Sequence, residues 1–106
     1  MRIIKARTVY TICLIDKFKP AADSLEAWLA ETIQAEWASP ADVKAKYRNA
    51  SIICSKRVVF NIKGNEFRLV VDIEYKLKLV FIIWFGTHSE YQKENIKTLS
   101  YGNQGY

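Results

Sequence analysis

The chain has 106 residues, of which 50% are hydrophobic and 25% charged, with a net charge of +5. This size and composition are typical of one globular domain and exclude a multidomain enzyme, a disordered chain and a fibrous repeat. Two cysteines and one histidine are too few for a four-ligand zinc site without carboxylates, or for a disulfide framework. We therefore expect Cys13 and Cys54 to be buried thiols.

The longest apolar run, residues 79–85, is too short to span a bilayer. The first residues also lack the pattern of a signal peptide. We therefore expect a cytoplasmic protein with no membrane partner.

The charge is unevenly distributed along the chain. Residues 1–20 and 41–76 are rich in lysine and arginine, whereas residues 21–40 hold four acidic residues and no basic one. The second basic region falls on predicted strands and turns rather than along one helix. This placement favours nucleic-acid binding, although a solvated face is the ordinary explanation of the charge alone.

The first segment, Thr8–Phe18, gives conflicting signals. Its β-branched residues favour a strand. Val9, Ile12 and Cys13, however, share one face of a helix, while the residues between them are also apolar. The residues alone leave this segment open.

Two helices are predicted next. Apolar residues of Asp23–Trp37 fall on one helical face, which predicts a helix with Asp23 as its N-cap. Ser39 followed by Pro40 is a second start signal, because serine caps a helix and proline is favoured at its first position. This second helix should be short and end near Tyr47.

The second half predicts a β-hairpin. Apolar and polar residues alternate in 57–62 and 66–75, on either side of Gly64–Asn65. A two-residue loop with positive φ at Gly64 fixes the register. The resulting cross-strand pairs are Lys63 with Glu66, Ile62 with Phe67, Asn61 with Arg68, and Arg57 with Asp72.

This register separates the side chains into two faces. One face is apolar and should pack against the helices; it holds Val58, Phe60, Ile62, Phe67, Leu69 and Val71. The opposite face is polar around Val59 and Val70, and it holds Arg57, Asn61, Lys63, Arg68 and Asp72.

The remaining segments follow the hairpin. Residues 79–85 are apolar on both faces, which predicts an interior strand ending at Gly86–Thr87–His88. Residues 90–94 suggest a turn or short helix. We expect one domain over residues 1–106, with a frayed tail from about residue 100.

The chemistry-bearing residues indicate a metal-free reaction. No phosphate loop, nucleophile elbow, dinucleotide fingerprint or metal motif occurs, so we expect neither a metal nor a cofactor. Arg68 lies on the polar face, and His88, Tyr91 and Lys93 follow the interior strand. These residue types suit RNA cleavage by the ribose 2′-hydroxyl, which needs a base, an acid and fixed positive charge. A purely structural alternative pairs Arg68 with Asp72 and leaves the others packed or solvated.

Two strings carry a family resemblance. Residues 57–71, RVVFNIKGNEFRLVV, and 86–91, GTHSEY, resemble the HigB family of bacterial toxins within the RelE superfamily. Trp37, residues 39–44, Tyr47–Arg48 and residues 50–52 also match, so the resemblance spans about residues 25–91. It implies an α+β, RelE-like fold with N-terminal helices packed on one face of a small, mainly antiparallel sheet. It also implies a helix at residues 8–18.

The resemblance implies a function as well. It implies a type II toxin that cleaves mRNA, on the translating ribosome, and that is silenced by a HigA-type helix-turn-helix antitoxin. Operator DNA is then contacted only through the toxin–antitoxin complex. Two alternatives are a non-catalytic module that binds RNA or the ribosome, and a gyrase-directed toxin of the ParE branch.

The resemblance assigns roles to individual residues. Arg68 resembles the phosphate-contacting arginine, and His88 and Tyr91 correspond to the catalytic elements near the carboxyl terminus. Further candidates for RNA or ribosome contact are Arg48, Arg57, Lys63, Asn65 and Lys93. Ile83 stands where relatives often have an arginine, and Glu66 where they often have a lysine, so both positions lack a positive charge.

Overall fold

The computed structural model describes residues 1–99 and shows an α+β fold. This part of the chain holds four α-helices, one 3₁₀ helix and one five-stranded sheet. The helices are α1 (Arg7–Cys13), α2 (Ala22–Gln34), α3 (Pro40–Lys46) and α4 (His88–Gln92), with the 3₁₀ helix (Asp16–Ala21) between α1 and α2. The strands are β1 (Arg2–Ile4), β2 (Ser51–Ile52), β3 (Arg57–Ile62), β4 (Phe67–Glu74) and β5 (Leu79–Thr87).

The amino-terminal helices differ from their predicted bounds. The helix implied for residues 8–18 is confirmed only in part, because α1 ends at Cys13 and Ile15 is extended before the 3₁₀ helix begins at Asp16. Helix α1 forms where the sequence signals conflict because it buries Val9 and Ile12 in the core, and tertiary packing outweighs local β-propensity. The predicted cap at Asp23 is wrong, since α2 follows Ala21 directly and has no side-chain cap. The 3₁₀ helix delivers the chain to α2 already in a helical conformation, so no capping side chain is needed.

The short helix α3 matches its prediction. Pro40 occupies its first position after Ser39, and Tyr47 follows its last residue. The Ser39 side chain, however, makes no capping hydrogen bond at the start of this helix. The Asp42 carboxylate accepts from the backbone N–H of Ala38 at 2.8 Å.

The sheet has the order β1-β5-β4-β3-β2. Strand β1 is parallel to β5, and every other pairing is antiparallel. The interior position of β5 agrees with its two apolar faces. Strands β1 and β2 were not predicted from the sequence, because two or three residues carry no readable alternation and their pairing depends on distant residues.

The predicted hairpin register is confirmed. Ile62 pairs with Phe67, Asn61 with Arg68, and Arg57 with Asp72. Gly64 has a φ of +62°, as the loop requires, and Lys63 also lies in the left-handed region at +53°. The Lys63 ammonium lies 3.5 Å from the Glu66 carboxylate.

Both faces of the sheet are covered by apolar side chains. The larger core lies between the helices and the predicted apolar face, and includes Val58, Phe60, Ile62, Phe67, Leu69 and Val71. A second cluster on the opposite face comprises Val59, Val70, Ile83 and Trp84, with Ile53, Phe81, Tyr91, Ile96 and Leu99 packed against it. The face predicted to be polar is therefore partly covered by the segment that follows β5.

The cysteine prediction is wrong for one residue. Both thiols are free, but Cys54 is exposed and Cys13 only half-buried. Cys54 lies in the turn between β2 and β3, outside both apolar clusters, and the backbone N–H groups of Lys56 and Arg57 lower the pKa of its thiol. The predicted frayed tail from residue 100 lies outside the described residues.

Candidate active site

Arg68 lies on β4 with its guanidinium turned away from the larger core. It is only 7% exposed, and its hydrogen bonds go to neutral groups. Nη1 donates to the backbone oxygens of Asn65 and Phe67, both at 3.0 Å, and Nη2 donates to Oδ1 of Asn65 at 2.6 Å. Within residues 1–99 no carboxylate pairs with this guanidinium. Its charge is thus held in place without being neutralised.

The ion pair between Arg68 and Asp72, which was the purely structural alternative, does not form. Asp72, its proposed ion-pair partner, binds Arg57 instead at 2.7 Å. Arg57 and Asp72 are directly opposite across β3 and β4, so the register brings these two together.

Tyr91 lies over the Arg68 side chain. The Arg68 guanidinium carbon is 5.9 Å from the centre of the tyrosine ring, which is within the range of a cation–π contact. The same ring packs on Trp84 with centroids 6.3 Å apart. Tyr91 is therefore held between the second cluster and the arginine.

His88 is the first residue of α4 and lies beside the hairpin loop. Its backbone N–H donates to the Glu66 carbonyl at 2.9 Å, and its Nε2 is 3.3 Å from the Gln92 amide nitrogen. An amide N–H₂ can only donate, so this contact is a hydrogen bond in the tautomer whose Nε2 accepts. Nδ1 is buried and has no hydrogen-bond partner within residues 1–99.

A capping box fixes the start of α4. The Thr87 hydroxyl accepts from the Glu90 backbone N–H at 3.1 Å, and the Glu90 carboxylate accepts from the Thr87 N–H at 2.9 Å. Lys17 donates to the same carboxylate at 2.7 Å. These bonds, led by that from Lys17, lower the pKa of Glu90. The Thr-x-x-Glu spacing at residues 87–90 is a capping signal that can be read from the sequence alone.

Gly86 gives Trp84 its position under Tyr91. It lies opposite Arg68 in the β4–β5 ladder. A Cβ atom at Gly86 would come within 2.7 Å of Trp84 Cζ2, which is closer than real Cβ contacts. The absence of a side chain at Gly86 therefore lets the indole ring lie against the strand.

The other candidate contacts lie on different segments of the chain. Lys63 and Asn65 are exposed in the hairpin loop, and Lys93 is exposed just after α4. Lys93 also lines a groove of about 550 Å³ beside Tyr91, together with Gln92, Asn95 and Lys97. Arg48 lies elsewhere, in a cleft of about 270 Å³ that it shares with Asn61 and Gly64.

Arg57 differs from the other basic candidates. It is 4% exposed, and its guanidinium makes four hydrogen bonds inside the chain, to Asp72, Ile96 and Leu99. Because the Arg57 side chain is buried and fully bonded within the chain, Arg57 is not among the RNA contacts proposed below.

The two positions that lack a positive charge have different environments. Ile83 is buried in the second cluster, where its side chain supports Trp84 and Val70. Glu66 is exposed in the hairpin loop, and its backbone carbonyl holds His88. Positive charge at the site therefore comes from Arg68 and the flanking lysines.

The fold and this site together define the class of the protein. The described residues form a mixed α+β sheet consistent with a RelE-like fold, in which one end of the sheet gathers Asn65, Arg68, His88 and Tyr91. No cluster of three or more His, Cys, Asp or Glu side chains within residues 1–99 is arranged to hold a metal. No helix in the described part has the length and hydropathy to cross a bilayer.

Comparison with known families agrees with this class. A family model described as HigB_toxin, RelE-like toxic component of a toxin-antitoxin system, matches residues 21–94. The match includes the hairpin, β5 and α4, and therefore every residue of the site. The chain belongs to the HigB toxin family, and membership implies an antitoxin partner. A search of curated proteins found no match.

Proposed function

We propose that this toxin is a metal-independent endoribonuclease that cleaves mRNA on the translating ribosome. The observation that carries the proposal is the environment of Arg68. A buried guanidinium with only neutral partners within residues 1–99 is costly for the fold. Such a group suits an anion that arrives from outside. Tyr91 lies over it, and His88 follows the end of β5, whose Gly86 pairs with Arg68.

The reaction follows from the residue types. The ribose 2′-oxygen loses its proton to a base and forms a bond to the adjacent phosphorus, while the bond from phosphorus to the 5′-oxygen breaks. The departing 5′-oxygen takes a proton from an acid, which leaves a 2′,3′-cyclic phosphate and a 5′-hydroxyl. In our assignment His88 and Tyr91 share the proton transfers. Arg68 stabilises the negative charge on the phosphorane.

The surrounding surface fits a polyanion. The net charge is +5, and Lys63, Asn65 and Lys93 lie exposed around the site. We assign them contacts to RNA phosphates or to the ribosome, since phosphate contacts supply most sequence-independent affinity. Arg48, in its separate cleft, is a further candidate for ribosome contact.

The partners follow from the same proposal. mRNA is the substrate and is cleaved while it is bound to the ribosome, so the toxin acts in the cytoplasm. The antitoxin is of the HigA helix-turn-helix type, and operator DNA is contacted only through the complex. Opposite charge on the antitoxin would both speed its association with the basic surface and mask that surface.

The direct test uses purified toxin and ribosomes stalled on a defined mRNA. We expect the wild type to cut within the reading frame, and Arg68→Ala and His88→Ala to lose about 100-fold or more in cleavage rate. Tyr91→Phe keeps the ring on Arg68 but removes the hydroxyl, so it isolates proton transfer from packing. Lys19→Gln, which changes an exposed lysine paired with Asp16, is the matched control. Full activity in all three site variants would show that the site is misassigned.

One observation favours a second candidate function. Arg68 is only 7% exposed, and Ile83 adds no charge beside it. A RelE-like module that binds RNA or the ribosome without cutting would tolerate both features. Such a module would bind ribosomes in the same assay and leave the transcript intact.

A further inference from the structure

The segment after α4 needs an anchor that its own backbone does not supply. Residues 93–99 contain no helix or strand, yet Ile96 and Leu99 pack against the second cluster. Short irregular segments of this kind fray unless side chains tie them down.

The anchor is Arg57. Its Nε and Nη2 bind the two carboxylate oxygens of Asp72 at 2.7 and 2.8 Å. Its Nη1 donates to the Ile96 carbonyl at 2.8 Å and to the Leu99 carbonyl. The side chains of Arg57 and Asp72 are 5% and 14% exposed. One guanidinium thus joins the middle of the sheet to two points on the segment.

The chemistry of this pair indicates positioning rather than simple stabilisation. A buried ion pair contributes little net stability, because desolvation offsets the attraction between the charges. Two apolar side chains would fill the same space. They could not, however, bind two backbone carbonyls, so the arginine adds a directional restraint on the segment that the apolar packing of Ile96 and Leu99 does not supply.

Tyr91 depends on that placement. Its ring lies in the second cluster beside Trp84, and Ile96 and Leu99 pack against the same cluster. The capping box fixes the first turn of α4 at Thr87, whereas Tyr91 lies near the other end of this short helix. The anchor at Ile96 and Leu99 therefore restrains α4 from its far end.

We propose that Arg57 and Asp72 are positioning residues: they fix residues 93–99 across the sheet and thereby hold Tyr91 against Arg68. Neither residue touches RNA in this account. The inference rests on the proposed ribonuclease function for its effect on rate, but its structural part is independent of that function.

The test compares Arg57→Lys and Asp72→Asn with a control, Lys56→Gln. Lys56 also lies near Asp72, at 3.7 Å, but its side chain is 65% exposed, and it is no part of the anchor. Cleavage of ribosome-bound mRNA gives kcat and KM for each variant. Hydrogen exchange at residues 93–99 reports the anchor, and the ring-current shift of the Arg68 side-chain protons reports the position of Tyr91.

Positioning predicts a loss in kcat rather than in binding. We expect Arg57→Lys and Asp72→Asn to lose about 10- to 100-fold in kcat, since small misplacements of a reacting group are costly. KM should change less than about threefold. Exchange at residues 93–99 should accelerate, and the Arg68 ring-current shift should shrink. Lys56→Gln should match the wild type in all four measurements.

Asp72→Asn separates this account from direct RNA binding by Arg57. If Arg57 bound RNA, removing its acidic partner would release positive charge and lower KM. A lower KM with unchanged kcat would therefore overturn the proposal. Unchanged exchange and an unchanged Arg68 shift in Arg57→Lys would overturn it as well.

A double variant guards against misfolding. Arg57→Met with Asp72→Val removes both charges and leaves two apolar side chains of similar combined size, so the sheet should remain folded although the anchor is lost. We expect a cooperative thermal transition together with the exchange and rate changes of the single variants. Wild-type kcat in this variant would contradict positioning. If the wild type itself cuts no RNA, the proposed function fails, and the exchange and ring-current data alone decide whether the pair positions Tyr91.

Discussion

Asn65 holds the Arg68 guanidinium through two neutral oxygen atoms. Its backbone oxygen and its side-chain Oδ1 both accept from the guanidinium. An amide holds the arginine without cancelling its charge, whereas a carboxylate at the same place would form a charge-assisted pair. The neutrality of residue 65 is therefore part of the proposed phosphate site.

This difference predicts opposite effects on stability and activity. Asn65→Asp should keep or raise the thermal stability, because it gives a buried arginine an ionic partner, yet it should lower RNA cleavage at least tenfold. Asn65→Ala loses one side-chain hydrogen bond, which costs about 1 kcal/mol, and should reduce cleavage less. Thermal denaturation and the ribosome cleavage assay measure the two effects. Wild-type cleavage by Asn65→Asp would contradict the role of the uncompensated charge.

Glu90 links the stability of α4 to pH. The hydrogen bond from Lys17 and the Thr87 N–H lower its pKa below the ordinary value of a glutamate. A carboxylate with a lowered pKa contributes stability that is present above its ordinary pKa and is lost as the pH falls through the lowered value. We therefore expect α4 to loosen in acid while remaining unaffected near neutral pH.

The measurement is an NMR titration of the Glu90 carboxyl carbon. Lys17→Met removes the largest cause of the shift, so the Glu90 pKa should rise toward its ordinary value. Lys19→Met changes a nearby lysine that pairs with Asp16 instead and should leave the titration unchanged. An unchanged Glu90 pKa in Lys17→Met would show that Lys17 does not hold this carboxylate in solution.

The hairpin is the element that the sequence predicted best. Alternation and a glycine in the loop were sufficient for the register, because a slip by one residue would move every side chain to the wrong face. The same alternation could not show how deeply each side chain is buried. It placed Arg57 on the polar face, but a separate part of the chain, residues 93–99, covers that face and buries it.

The hairpin loop gives a matched pair of substitutions. Lys63 and Gly64 both have positive φ, and nothing lies within 4 Å of a Cβ atom built at Gly64. Gly64→Ala therefore tests backbone strain alone and should destabilise the fold by about 1 kcal/mol. Lys63→Gly relieves strain and should be neutral or stabilising by about 0.5 kcal/mol. Urea denaturation measures both, and equal destabilisation by the two would contradict the assigned loop geometry.

Helices and short strands were predicted less completely. Most of α2 follows from its apolar periodicity, but the helix ends at Gln34 rather than at the predicted Trp37, because Ala35 is extended. Its start at Ala22 depends on the preceding 3₁₀ helix, which has no clear sequence signal. For residues 8–18, local propensity favoured a strand, and only the family resemblance implied a helix. Strand β1 forms because β5 offers it an edge, and that edge comes from residues far along the chain.

The candidate site combines local and distant information. Arg68, His88 and Tyr91 were found from motifs and residue types, but their mutual placement depends on the pairing of β4 with β5. The roles of Asn65 and Glu90 required the hydrogen bonds themselves. Sequence reasoning therefore named the candidate reactive groups but not the residues that hold them.

The protein as a whole has an apolar cluster on each side of one sheet. The larger core carries the helices, and the second cluster carries the site, because Tyr91 and Trp84 belong to it. Changes in the second cluster should therefore alter activity before they unfold the chain. Family membership defines a toxin.

The most direct measurement is brief induction of the wild type and His88→Ala in a bacterial host, with genome-wide mapping of new mRNA 5′ ends. We predict new ends inside translated reading frames for the wild type and their loss in His88→Ala, with both proteins produced at equal levels. Growth arrest without new ends would contradict the ribonuclease assignment, and DNA damage with intact mRNA would indicate a gyrase-directed toxin. New ends that persist in His88→Ala would keep the enzyme but contradict the role of His88.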